Sequence, residues 1–94
     1  MLMDTDYALV ALEPASTTVT GQRSRLYGIY VDTVLSAHTV TIDDGATIGA
    51  VLTLPASLAA GTMIELPGLV FNDGIIVTPN ASSTGDIVLM YKIW

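Results

Sequence analysis

Ninety-four residues set the size of one small domain, and 51% of them are hydrophobic while 13% carry charge, where ordinary soluble proteins have about 25% charged. The formal net charge is −6, with Arg23, Arg25 and Lys92 the basic residues, which argues against nucleic acid and anionic membranes as partners, since both need clustered Lys and Arg. Cysteine is absent, so disulfides, thiolate metal sites and cysteine nucleophiles are ruled out, and the place of synthesis expected is an ordinary cytoplasm.

Residues 1–6, Met1-Leu2-Met3-Asp4-Thr5-Asp6, hold no turn chemistry and read as an N-terminal arm or frayed end ahead of a single domain over 7–94. Two aspartates stand where a signal peptide needs basic residues, and the apolar run 8–12 is too short for its hydrophobic region, so no export is expected. From there the apolar runs are short, rich in Val, Ile, Thr and Tyr, and no helical period persists beyond a turn. They predict strands over 7–12, 18–20, 25–34, 39–43, 50–54, 63–66, 75–78 and 87–93.

Turn residues separate them: 13–16, Gly21-Gln22, Asp43-Asp44-Gly45, Leu54-Pro55, Ala60-Gly61, Pro67-Gly68, Asn72-Asp73-Gly74 and 79–85. The two Asx-Gly steps resemble fragments of calcium loops but lack further acidic ligands, and they read as hairpin turns. The uncharged stretch 45–64 has the length of a membrane span, yet Gly49, Pro55 and Gly61 interrupt it and no span is expected. This strand count predicts an all-β, antiparallel sandwich; turn spacing alone does not separate a jelly roll from an immunoglobulin-like order.

Two runs differ in their faces. His38, Val40 and Ile42 alternate with Thr39, Thr41 and Asp43, as for a strand with one buried and one solvated side. In the last run Ile87, Leu89, Tyr91 and Ile93 oppose Val88, Met90, Lys92 and Trp94, and both sides are largely apolar. That requires central burial or a covering subunit, and a chain this short favours the subunit. The sparse charge points the same way: twelve charged side chains serve a folded surface of roughly 5,200 Å², so a homo-oligomer is expected.

Catalytic chemistry finds little material. His38 is the single histidine and reads as a satisfied side chain, no GxSxG elbow occurs, and Asp4 with Asp6 has nothing downstream to complete a metal site. No enzyme activity, catalytic residue, metal or cofactor is expected. Asn80-Ala81-Ser82 fits a glycosylation acceptor but, without export, marks an exposed loop. Tyr27 and Tyr30 fall on opposite faces of one strand, which suits packing better than a carbohydrate platform.

The ordered series 25–31 (RLYGIYV), 39–45 (TVTIDDG), 51–56 (VLTLPA), 64–68 (IELPG) and 71–78 (FNDGIIVT) resembles the small β-sandwich structural proteins of tailed bacteriophages, over residues 18–94. The resemblance implies an about eight-stranded, jelly-roll-like sandwich. It implies a homotrimer on the capsid surface, made in the bacterial host cytoplasm, that cements neighbouring subunits of the major capsid protein. Met1, Leu2, Met3 and Tyr7 would then dock into grooves between capsid subunits, and Val88, Met90, Tyr91 and Trp94 would meet around a three-fold axis. The alternative within the resemblance is a fibre, neck or tail module that binds a receptor or glycan through loops such as 79–85.

Overall fold

The sheet ladders follow from where the β-branched runs are interrupted. A computed structural model describes residues 6–12, 16–80 and 82–93, and the expected contact residues Met1, Leu2, Met3 and Trp94 lie outside them. Within them the order is β1 (Asp6–Ala11), β2 (Thr17–Thr20), β3 (Ser24–Thr33), β4 (Val40–Asp44), α1 (Gly45–Ile48), β5 (Gly49–Leu54), β6 (Met63–Phe71), β7 (Ile75–Thr78) and β8 (Asp86–Ile93). Every predicted strand is present.

The strands form two antiparallel four-stranded sheets, ordered β1-β8-β3-β6 and β2-β7-β4-β5. First pairs with last, second with seventh, third with sixth and fourth with fifth. The chain is thus one long hairpin rolled over itself, the strand order of a jelly roll. Only β4 and β5 are joined within a sheet; each other connection crosses the sandwich.

Burial explains why the roll closes. The inward side chains come at every second position, as in β4 (Val40, Ile42, Asp44) and β8 (Ile87, Leu89). Leu26, Ile29 and Val31 of β3 and Phe71 of β6 meet Ile42, Leu54, Ile75 and Val77 of the other sheet, all essentially solvent-free. At the Val40 end, loops 34–39, 55–62 and 79–85 are tied by backbone bonds from Leu35 N to Leu58 O (2.9 Å), Ser57 N to Ser36 O (2.9 Å) and Ser36 N to Thr84 O (3.2 Å).

Three local readings are corrected. Asn72-Asp73-Gly74 is not a hairpin turn, because β6 and β7 lie in different sheets and the tripeptide carries the chain between them. Asp43-Asp44-Gly45 is not a two-residue turn either. Asp43 and Asp44 stay in the β4 ladder, and the reversal is made by the helical turn α1. Pro67-Gly68 does not end its strand. β6 is an edge strand, where a missing N–H costs no ladder bond, and a bulge sets Tyr27 alone against residues 66–68. Gly68 permits this with φ 92° and a Cα hydrogen facing the Tyr27 ring, since a Cβ there would stand 3.0 Å from Tyr27 Cε1.

Candidate functional site

The two outer faces of the sandwich differ in chemistry. On the β2-β7-β4-β5 sheet, register and alternation place Thr18, Ile76, Asp43 and Ala50 in one row and Thr78, Thr41 and Thr53 in the next. Threonine hydroxyls dominate. Thr41 Oγ1 donates to the Thr78 carbonyl (3.4 Å) and Thr78 Oγ1 to Asp43 Oδ2 (3.3 Å), so this face is polar and partly hydrogen-bonded to itself.

The outer face of the β1-β8-β3-β6 sheet is apolar. One row crosses all four strands as Leu9, Val88, Tyr30 and Met63, and the adjacent row as Tyr7, Met90, Gly28 and Glu65. Tyr7 is 76% exposed, Leu9 63%, Met63 45% and Tyr30 37%, while Val88 and Met90 are half-buried. Gly28 makes the centre of this face shallow. The methyl ends of Met63 and Met90 close over it, so a Cβ at 28 would stand 2.9 and 3.0 Å from them. Flexible thioether side chains flanked by two tyrosines form an adaptable surface of the kind enriched at protein interfaces.

Exposed Glu65 ends the second row at the β6 edge, and charge also bounds the two rows along the strand direction. Beyond the Leu9 row lie Ala11, Asp86 and Thr33, with Thr33 Oγ1 donating to Asp86 Oδ2 at 3.1 Å. Beyond the Tyr7 row lie Lys92, Arg25 and Val70. Asp86, Val88, Met90 and Lys92 share one parity on β8 and hence one face.

The residues expected at interfaces therefore separate. Tyr7, Val88 and Met90 stand together on the apolar outer face. Tyr91 has the opposite parity and packs against the core beside Leu26, so strand alternation removes it from that group. Leu9 and Met63 were not singled out by sequence reasoning, and Tyr30 was read as a packing residue without being placed on this face. The signal available was that residues 7–12 alternate Tyr7, Leu9, Ala11 with Ala8, Val10, Leu12, apolar on both sides like the last strand, which proves to be its neighbour.

Other candidates have local roles. His38 Nδ1 lies 3.3 Å from Ser36 Oγ, which also accepts the Thr84 N–H at 3.1 Å. In loop 79–85, Asn80 Oδ1 accepts the Ser82 N–H (3.0 Å) and Ser83 Oγ accepts the Asn80 N–H (2.9 Å), so these polar groups organise the loop itself. Among the described residues no three His, Asp or Glu side chains gather as metal ligands, and no helix is long and apolar enough to cross a membrane.

Fold and face together define an eight-stranded jelly-roll sandwich with one polar and one apolar outer sheet surface. No protein-family model, curated protein or solved structure matches the chain.

Proposed function

We propose that this chain is a non-enzymatic structural protein of a tailed-phage virion, which self-associates and decorates the assembled capsid, bridging and stabilising neighbouring subunits of the major capsid protein. The observation that carries the reading is the four-strand apolar row Leu9, Val88, Tyr30 and Met63, a contiguous surface suited to another protein. The sequence resemblance supplies the virion and the cementing role, since a fold of this kind serves many functions. In this reading the segment 1–6, continuing into Tyr7 at an edge strand, reaches onto the shell.

The work is interfacial. Shells under internal pressure fail at the seams between subunits, and an oligomer that touches several subunits adds buried area there. Individually modest contacts suffice, because arms on one rigid body bind with an effective concentration far above that in solution.

Sedimentation with empty phage shells tests this. Saturable co-sedimentation at a symmetry-sized stoichiometry, reduced by deleting residues 2–6, is the expected result. An assembly that stays in the supernatant overturns capsid decoration in favour of a fibre, neck or tail position.

A further inference from the structure

The outer side of β8 is a capped strip: Asp86, then Val88 and Met90, then Lys92, about 20 Å from end to end at roughly 3.4 Å per residue. It lies inside its sheet, flanked by β1 and β3, so the strip runs down the middle of the apolar face. Its midpoint is Leu89, which points inward to the core.

A half-turn about an axis that lies in the plane between two facing sheets, perpendicular to β8 and level with Leu89, lays a second copy face to face and exchanges the ends of the strip. Asp86 then overlies Lys92 of a second copy, Val88 overlies Met90, and the reverse contacts repeat by symmetry. Each charge meets its opposite and each apolar side chain meets another. Packed sheets cross at about 30°, which displaces strip ends lying 10 Å from the axis by about 5 Å, a distance that the flexible Lys stem accommodates.

We infer that this face is a self-complementary two-fold contact between two copies of the chain. It deepens the self-association proposed above and rests on reading the face as an interface, not on the virion role. Charge pattern separates it from the three-fold contact that the resemblance implies. With β8 strands running together along a three-fold axis, three Asp86 carboxylates would gather at one end and three Lys92 ammonium groups at the other, an arrangement that like-charge repulsion disfavours. The methionines over Gly28 suit the two-fold stack, because both copies can repack them without backbone movement.

Charge exchange on the full chain, followed by sedimentation velocity, tests this contact. D86K sets Lys against Lys and K92D sets Asp against Asp, and each weakens pairing about tenfold or more at low salt. The double variant D86K/K92D restores opposite charges at both ends and recovers pairing. A one-to-one mixture of the two single variants does so as well, as a heterodimer. Circular dichroism confirms that each variant is folded, and should D86K fail to fold because it loses the Thr33 bond, K92D titrated against wild type carries the test: mixed pairs form more readily than K92D with itself. A monomer, a trimer, or singles that neither differ from wild type nor rescue one another overturn the inference. The same samples are spun with shells. Pairing without shell binding supports this contact and removes the capsid reading, whereas shell binding by a chain that stays monomeric removes the contact.

Discussion

Asp44 Oδ1 accepts a 2.7 Å hydrogen bond from the backbone N–H of Asp73, which lies 29 residues further along the chain in the connection from β6 of the opposite sheet to β7, the neighbour of β4. Its second oxygen takes the Asn72 N–H at 3.0 Å, and the adjacent Gly45 N–H donates to the Gly74 carbonyl at 3.0 Å. One buried carboxylate thus closes the end of the sandwich by fastening the β6–β7 crossing to the tip of β4. Asp44→Ala strips two backbone donors of their acceptor and is expected to cost about 2–4 kcal/mol, with Asp44→Asn costing less because one oxygen remains. Urea unfolding of both variants beside wild type measures the difference.

The same corner makes glycine substitutions unequal. At Gly74, φ is 108° and a Cβ would collide with the Thr20 carbonyl oxygen and the Gly21 backbone. Gly49 has φ 91° but open space around it, and Gly21 has open space without a left-handed φ. Substitution by alanine should therefore rank steeply: Gly74→Ala prevents stable folding, Gly49→Ala costs about 1–2 kcal/mol of backbone strain, and Gly21→Ala is close to neutral. Thermal melts of the three variants give the order directly.

These features show what was legible in the amino-acid sequence and what was not. Strand positions were, because β-branched runs and turn residues are local signals, and even the two-faced character of 87–93 was visible. Asp44 and Asp73 looked like ordinary turn residues because the pairing that joins them is long-range. Pro67 looked like a strand end because a proline is tolerated only on an edge, and edge position depends on sheet order. The apolar outer face was half legible: Tyr7, Val88 and Met90 could be named, while Tyr30 and Met63 join them only through the β3–β8 and β3–β6 registers. Of the two apolar faces read in the last run, the one with Tyr91 packs against the core beside Leu26, and which face turns inward depends on the opposite sheet.

Ser24 carries a cost that the core does not need. It is fully buried between Ile93 and Phe71 in the ladders, and among the described residues its Oγ finds no hydrogen-bond partner. A hydroxyl held away from water without a partner costs about 1–3 kcal/mol, while removing one oxygen leaves only a small void. Ser24→Ala is therefore expected to raise the unfolding free energy by about 0.5–1.5 kcal/mol, seen as a higher urea midpoint with an unchanged slope. A lower midpoint would mean that packing around the oxygen outweighs its desolvation.

Leu9 and Leu89 separate stability within one chain from stability gained by association. Leu89 is fully buried, and Leu89→Ala should cost about 2–5 kcal/mol at any protein concentration. Leu9 is 63% exposed on the other side of the same sheet, so Leu9→Ser should change the stability of an isolated chain by no more than about 0.5 kcal/mol. If its surface is covered on association, wild-type melting temperature rises with concentration, because binding draws the equilibrium toward the folded state. Leu9→Ser should flatten that dependence while matching wild type at high dilution, and Leu89→Ala should shift the whole curve downward with its slope largely kept. Calorimetric or fluorescence melts over a hundredfold concentration range distinguish the two, and a wild-type melting temperature independent of concentration would remove association from the role of this face.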